Sequence, residues 1–195
     1  MPTDCWVVVG LGNPGPDYAT TRHNVGYVVV DELLDRMGAA LRPHKSGRAL
    51  TAEGRLAGTP GERAVLVRGR GHMNESGGPV AAVLGYYKVP PERLVVVHDE
   101  LDIPYGDLRA KFGGGDNGHN GLRSLRQALG TGDYYRVRVG IGRPLGRQNA
   151  ADFVLRPFGA VERRALELHV QRAADCVESL VSKGLDATQN EYHRA

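Results

Sequence analysis

The sequence contains few cysteines and no long apolar run, and both absences restrict the class of protein. Its 195 residues include only Cys5 and Cys176, whose wide separation offers neither a disulfide framework nor a C-x-x-C metal spacing. No stretch approaches the roughly 18 consecutive apolar residues of a membrane span. Asp4, with no basic segment, precedes the first short apolar run, which is unlike a signal peptide. We therefore expect a cytoplasmic protein that is neither exported nor embedded in a membrane.

Several motifs of covalent, metal-dependent and phosphate-binding enzymes are also absent. The sequence has no G-x-S-x-G, neither cysteine lies in a local nucleophile signature, and the glycine loop at 113–121 lacks the Lys-Ser/Thr ending of a Walker site. The histidines form no H-E-x-x-H or comparable local pair. We therefore expect water to be the nucleophile, with no metal and no cofactor.

Glycine and local positive charge are what the sequence has in excess. Glycine accounts for 27 of the 195 residues, about twice its usual share, and is concentrated in loops, where functional residues are common. The net charge is +3, but residues 107–150 hold eight basic residues against three aspartates. Such a segment is either a solvated face or a contact for a polyanion.

The hydrophobic pattern predicts alternating strands and helices. Short β-branched runs predict strands at 6–9, 64–67, 94–97 and 135–141, with weaker ones near 49–57 and 107–112. Helical spacing predicts helices at 24–37, 76–88, 120–129 and 160–183, the first ending at Gly38. This order predicts one α/β domain over residues 1–195, a sandwich with a mixed, mostly parallel central sheet flanked by helices. Ligands of such sheets bind at the carboxyl ends of the strands.

The glycine turn after the first strand has the spacing of a dinucleotide-binding site without its other features. Gly10, Gly12 and Gly15 match G-x-G-x-x-G, but Pro14 and Pro16 lack amide hydrogens for a pyrophosphate and prevent a helix from starting in the turn. The helical pattern begins only near residue 24, so a nucleotide-binding oxidoreductase is disfavoured.

The same segment, GLGNPGPDYATTRHNVG, resembles the N-terminal signature of the bacterial peptidyl-tRNA hydrolase family. The resemblance continues in order through 98–106, 113–121, 136–144 and the tail at 187–193, and so covers nearly the whole chain. One departure is His72-Met73-Asn74, where the family usually has Phe-Met-Asn. The resemblance implies a monomeric, cofactor-free enzyme that hydrolyses the ester between peptide and tRNA and recycles tRNA for translation. A non-catalytic RNA-binding module of the same fold is the alternative.

His23 and Asp99 are the predicted catalytic pair. A histidine can accept a proton from water near neutral pH when a carboxylate fixes its tautomer and stabilises the imidazolium. The two residues follow different predicted strands, and the resemblance implies a catalytic histidine and an orienting aspartate at these positions. His98 is expected to point away from Asp99, because adjacent strand residues face opposite sides, and His119 is expected to pack against or cap the next helix.

Asparagines in loops are the predicted substrate contacts. Five lie in or beside predicted loops: Asn13, Asn24, Asn74, Asn117 and Asn120. Turn formation alone explains many loop asparagines, but their amides can also hold a peptide group or an oxyanion. The resemblance implies that Asn13 and Asn74 hold the peptide and ester end and that Asn120 positions water or stabilises the oxyanion. Tyr18, beside them, is a candidate for stacking.

Three cations near the glycine loop are the predicted tRNA contacts. Arg109 and Lys111 precede the loop, and Arg138 lies in another predicted strand. They form either a solvated edge or, as the resemblance implies, the grip on phosphates of the acceptor stem, near the CCA end. Phosphate contacts position a nucleic acid without specifying its sequence.

Overall fold

The computed structural model describes residues 4–193, which form a seven-stranded sheet with helices on both faces. The strands are β1 (Trp6–Gly10), β2 (Arg42–Pro43), β3 (Ala49–Leu56), β4 (Glu62–Gly69), β5 (Leu94–Glu100), β6 (Leu108–Phe112) and β7 (Tyr135–Gly140). They lie in the order β2-β3-β4-β1-β5-β7-β6. The four strands predicted from β-branched runs, β4, β1, β5 and β7, are therefore neighbours within the sheet.

Parallel pairing is confined to the centre of the sheet. Strands β4, β1, β5 and β7 are parallel to one another, whereas β2, β3 and β6 pair antiparallel at the two edges. All seven residues of β5 are buried, as expected for a parallel strand covered on both faces. The predicted α/β class and mixed sheet are confirmed. The six strand pairings divide evenly between parallel and antiparallel, so the sheet is less parallel than expected.

The helices are α1 (Val25–Met37), α2 (Gly77–Tyr87), α3 (Asn120–Leu129), α4 (Ala150–Val154), α5 (Ala160–Lys183) and α6 (Leu185–Tyr192). One apolar core joins α1 and α5 to one face of the sheet, and a second joins α2 and α3 to the other face. Among residues 4–193, none of the helices combines the length and the hydrophobicity that a membrane span requires. The short elements β2, α4 and α6 were not predicted.

Close packing of α1 against the sheet determines where its N-terminus lies. A side chain on Gly10 would overlap the Gly26 carbonyl, and one on Gly26 would overlap the Val97 carbonyl. Both positions therefore need glycine, since only a residue without Cβ permits this approach. The single turn of 3-10 helix at Arg22–Asn24, which leads into α1, is thereby held beside the carboxyl ends of β1 and β5.

Helix α6 covers the outer edge of β6. Gln189 Nε2 donates to the Ala110 carbonyl at 3.0 Å, and the Ala110 amide donates to His193 Nε2 at 2.7 Å. These bonds satisfy backbone groups that an edge strand would otherwise expose. The basic residues of β6 consequently lie on a braced strand.

Candidate active site

The predicted pair of His23 and Asp99 is brought together at the carboxyl end of β5. The 3-10 turn carries His23, whose Nδ1 lies 2.8 Å from Asp99 Oδ2. Because Nδ1 faces a carboxylate, this nitrogen carries the hydrogen and donates it. The lone pair of His23 Nε2 is then the one available to accept a proton, and His23 lines an open cleft.

Asp99 also binds a second imidazole, which sequence analysis missed. His119 Nε2 lies 2.8 Å from Asp99 Oδ1, and His119 Nδ1 accepts from the amides of Gly121 at 3.1 Å and Leu122 at 3.4 Å. The two amide donors fix the tautomer, so Nε2 carries the hydrogen. The expected capping role of His119 is confirmed. Its position, just ahead of a helix that follows a glycine loop at the same edge of the sheet, was the available signal for the contact with Asp99.

Burial and hydrogen-bonded neighbours shift the pKa values of Asp99 and His23. Burial alone would raise the pKa of Asp99, but the two imidazoles, through their charge and hydrogen bonds, hold it well below its usual range. Burial alone would lower the pKa of His23, and the Asp99 carboxylate outweighs that effect, so the net result is a raised pKa. Asp99 is therefore ionised throughout the neutral range, and His23 is a stronger base than a free imidazole.

His98 packs against the ring of His119. Its Nδ1 donates to the backbone carbonyl of Asp99 at 2.7 Å, and its ring lies 5.1 Å from the His119 ring, edge to face. This bond uses the backbone carbonyl and not the carboxylate of Asp99. Burial, reinforced by His119, lowers the pKa of His98 to about 3. A neutral ring therefore packs behind His119.

Asn13 is held in place by a second asparagine. The backbone N–H of Asn13 donates to Asn24 Oδ1 at 2.9 Å, and Asn24 Nδ2 donates to the backbone carbonyl of Asn13 at 2.8 Å. Asn13 Oδ1 accepts from the Met73 amide at 2.7 Å, which joins the segments that follow β1 and β4. Because that oxygen is occupied, the Asn13 side-chain NH2 is the group left for a ligand in the cleft. Asn24, which is buried, serves as a positioning residue for Asn13.

The cleft has a volume of about 490 Å³ and one polar and one apolar side. Tyr18, Asn74 and Asn120 line it together with the residues described above, so all six predicted catalytic and substrate-binding residues meet there. The Tyr18 and His72 rings stand edge to face, with centroids 6.2 Å apart. The apolar side is formed by Ala150, Ala151, Val154 and Leu155 of α4 and its end. A ligand with a polar backbone and a variable side chain suits such a cleft.

The three predicted phosphate-binding cations lie beside the cleft, on β6 and β7. Arg109 is directly opposite Arg138 across the two strands. Arg138 donates to Glu100 Oε1 from Nη2 at 2.7 Å and from Nε at 3.0 Å, and Glu100 lines the cleft. Burial and the neighbouring Arg138 and Arg136 lower the pKa of Lys111. Like charges opposed across a strand pair repel one another, and an anion bound there would relieve the repulsion.

Arg136 holds the glycine loop in place. Its guanidinium donates to the carbonyls of Gly114 at 2.7 Å and Gly132 at 3.2 Å, and also to that of Gly115. The loop brings His119 to Asp99 and ends at the start of α3. Arg136 therefore acts on the site through the loop and was not singled out from the sequence.

One group in the described part of the chain has the composition of a metal site. Ligand atoms of His23, Asp99 and His119 all lie within 4.8 Å of one another. The same nitrogen atoms, however, already donate to the carboxylate at 2.8 Å. A metal bound through His119 Nε2 would displace that hydrogen to Nδ1 and break the cap on α3. The present geometry favours a hydrogen-bonded triad over a metal centre.

Comparison with known proteins gives one consistent family. The sequence model of the family described as Peptidyl-tRNA hydrolase matches residues 7–195. The chain is 61% identical over 195 residues to the peptidyl-tRNA hydrolase of Frankia alni, covering 99% of this chain and 97% of that protein. It is 55% identical to that of Streptomyces coelicolor, covering 96% and 94%. The crystal structure of peptidyl-tRNA hydrolase from Acinetobacter baumannii superposes with a TM-score of 0.88 at 32% identity, covering 98% and 96%.

Proposed function

This chain belongs to the peptidyl-tRNA hydrolase family, and we propose that its cleft hydrolyses the ester between peptide and tRNA with a water molecule activated by His23. The observation that carries the mechanism is the 2.8 Å bond between His23 Nδ1 and Asp99, within a cleft whose lining includes Asn13, Asn74 and Asn120. The products are free tRNA and free peptide. Recycling of tRNA in translation follows from that reaction.

The proton passes through His23 in both halves of the reaction. His23 Nε2 takes a proton from water as the water oxygen attacks the ester carbonyl carbon, and Asp99 stabilises the imidazolium that forms. The tetrahedral intermediate then collapses with cleavage of the bond to the ribose oxygen. The His23 imidazolium returns its proton to that oxygen, which leaves as the ribose hydroxyl. The peptide leaves with a new carboxyl group.

The asparagines hold the acyl group and the developing oxyanion. We assign the free side-chain NH2 of Asn13 and the amide of Asn74 to the carbonyl and amide groups of the peptide. Asn120, at the start of α3, is assigned to the attacking water or to the oxyanion. Neutral amides suit these tasks because they donate without a desolvated charge. The 2.7 Å bond from Met73 to Asn13 supports this assignment, since it holds Asn13 in one orientation.

The tRNA lies toward β6 and β7 in this proposal. Arg109, Lys111 and Arg138 contact phosphates of the acceptor stem, and the CCA end reaches into the cleft, where Tyr18 can stack on a base. The mutual repulsion of the cations supports this role. We further propose that the enzyme acts as a cytoplasmic monomer. The two cysteines are buried and lie far apart in the sequence, which suits a reducing compartment. Sedimentation of the purified protein tests the monomer.

A non-catalytic RNA-binding module would need only the cations. It would not need an oriented imidazole in a cleft lined by Asn13, Asn74 and Asn120. Relatives that are 61% and 55% identical are named as hydrolases. The catalytic interpretation is therefore the better supported. The test is release of N-acetyl amino acid from N-acetyl-aminoacyl-tRNA by the purified protein. Binding of this tRNA without release would favour the non-catalytic module.

A chelator distinguishes the hydrogen-bonded triad from a metal centre. Because His23, Asp99 and His119 bind one another directly, we expect full activity after dialysis against EDTA. Hydrolysis of N-acetyl-aminoacyl-tRNA before and after dialysis, with and without added zinc, measures this. Activity lost with EDTA and restored by zinc would contradict the proposed mechanism.

A further inference from the structure

A second cavity of about 610 Å³ adjoins the cleft beyond Asn13. It lies between the loop that follows β1, the first turns of α1, and the ends of β3 and β4. Its walls include Asn13, Pro16, Ala19, Val28, Arg68 and Arg70. Asn13 lines both the cleft and the second cavity. The second cavity therefore begins at the residue that we assign to the acyl group. No step of the proposed mechanism uses it.

The order of the strands determines on which side of the catalytic pair this cavity lies. Along the carboxyl edge of the sheet the order is β4, β1, β5, β7 and β6. The cations are on β7 and β6, Asp99 is on β5, Asn13 follows β1, and Arg68 ends the row on β4. The ester joins two groups that leave its carbonyl in different directions. If the tRNA occupies the β7 and β6 side, the acyl chain extends toward β1 and β4.

We propose that the second cavity binds the N-terminal part of the peptidyl chain, from about the third residue before the ester onward. This inference rests on the proposed function. Strands lie about 4.8 Å apart, so two strand spacings separate β5 from β4 by roughly 10 Å. An extended chain advances about 3.3 to 3.6 Å per residue. One residue therefore stays within the cleft, whereas three or more reach the second cavity.

The walls of the cavity suit a peptide of variable sequence. Pro16, Ala19 and Val28 offer apolar surface, which contacts any side chain without a fixed partner. Arg68 donates to both oxygens of Asp31 at 2.7 Å and stacks on the Tyr27 ring at 4.4 Å, so this wall is rigid. Recognition that depends on shape and backbone tolerates the varied sequences of peptidyl-tRNA.

Arg70 supplies a free donor at the mouth of the cavity. It is exposed, and no ion pair to an acidic side chain is found for it within residues 4–193. Its one side-chain hydrogen bond is a 3.5 Å contact from Nη1 to the Gly47 carbonyl, which is at the limit for such a bond. A guanidinium with several unused hydrogens can donate to backbone carbonyls of a peptide regardless of its sequence.

The test compares chain lengths on one enzyme. The substrates are N-acetyl-aminoacyl-tRNA and N-acetyl-pentapeptidyl-tRNA with the same tRNA and the same C-terminal amino acid. Ala19→Trp fills the cavity from an exposed position, and Thr20→Trp is the matched control, since Thr20 is exposed and lines neither cavity. Arg70→Ala removes the free donor, and Arg42→Ala is its exposed control outside both cavities.

We expect the parent to have the higher kcat/KM for the pentapeptidyl substrate. The measured ratio is kcat/KM for the pentapeptidyl substrate divided by kcat/KM for the aminoacyl substrate. Ala19→Trp should reduce this ratio by about tenfold and Arg70→Ala by about threefold, because binding energy remote from the ester is lost. Both controls should keep the parent ratio. If neither Ala19→Trp nor Arg70→Ala changes this ratio, the proposed subsite is wrong, even when both variants are fully active on both substrates. A parent that hydrolyses neither substrate would instead contradict the proposed function.

Discussion

The proposed catalytic centre on β5 and the cationic edge formed by β6 and β7 are adjacent in the sheet and hold their charges in different ways. In the centre, Asp99 is only 3% exposed and both of its oxygens accept hydrogen bonds from imidazoles at 2.8 Å. At the edge, Arg109, Lys111 and Arg138 are half-buried, and Arg109 and Lys111 lie opposite Arg138 and Arg136 across two strands. The centre is complete without substrate, whereas the edge is left with an excess of positive charge.

This difference separates two contributions to the reaction. A buried, fully hydrogen-bonded group is oriented before substrate arrives, so its effect appears in the transition state. Half-exposed cations attract a polyanion and are screened by salt, so their effect appears in binding. Arg138 connects the two regions. It is one of the cations of the edge, and its Nη2 donates at 2.7 Å to Glu100, which lines the cleft. Substitutions in the two regions should therefore change different kinetic parameters.

The largest expected effect is that of His23→Ala. Loss of the general base should lower kcat by at least about 10²-fold, with little change in tRNA affinity. The measurements are single-turnover hydrolysis of N-acetyl-aminoacyl-tRNA and binding of uncharged tRNA by filter retention. Hydrolysis near the parent rate in a variant with the parent melting temperature would show that His23 is not the base.

Asp99→Asn should have a smaller effect on rate and a distinct effect on pH dependence. The Asp99 carboxylate raises the pKa of His23, so the acidic limb of kcat/KM in the parent should lie above the ordinary imidazole value of about 6.5. The base is lost as pH falls through that raised pKa. Without the carboxylate the limb should move to lower pH, and the weaker base should lower the rate near pH 8 by about tenfold.

Asp102→Asn is the matched control for this shift. Asp102 is exposed and pairs with Arg143 at 2.6 Å, so the substitution removes the same charge three positions away, outside the triad. Its acidic limb should coincide with that of the parent. Equal shifts in both variants would assign the effect to net charge and not to the bond with His23.

At the cationic edge, Lys111→Ala and Arg138→Ala should weaken binding more than turnover. Each lost phosphate contact should raise KM by about tenfold near physiological salt and reduce the log-log salt slope by about one. Hydrolysis of a small ester analogue should be spared, because it has no phosphates. The exposed Arg63, on β4 at the opposite end of the strands, gives the control Arg63→Ala, with an unchanged slope. Equal losses on tRNA and on the small ester would place Lys111 or Arg138 in the catalytic centre.

The sequence predicts the proposed catalytic residues better than the residues that hold them in position. His23, Asp99 and Asn13 follow strands whose β-branched runs are unmistakable, and the carboxyl edge of a parallel sheet brings such residues together. Asn24, His119 and Arg136 escape prediction because each acts through a long-range hydrogen bond, to Asn13, Asp99 and the glycine loop respectively. Turn or cap propensity explains Asn24 and His119 equally well from sequence alone.

The edges of the sheet show the same limit. Central strands have a continuous apolar pattern, but β2 has only two residues, both exposed, and periodicity cannot detect so short a strand. Near the end of the described residues, α6 is an eight-residue helix, and the contact with Ala110 depends on the polar side chains of Gln189 and His193. The parallel share of the sheet was overestimated because strand alternation with helices says nothing of hairpins at its edges.

The smallest expected effect is that of His72→Phe, which tests whether the cleft needs a ring or an imidazole at this position. His72 is exposed, and its contact in the cleft is the edge-to-face arrangement with Tyr18, at 6.2 Å. Phenylalanine preserves that ring contact, so kcat and KM should stay within about twofold of the parent. His72→Ala removes the ring and should raise KM for N-acetyl-aminoacyl-tRNA by about threefold without lowering kcat, since Tyr18 then loses its neighbour. A loss of kcat in both variants would show that the imidazole itself takes part in the reaction, and would move His72 from the wall of the cleft into the catalytic centre.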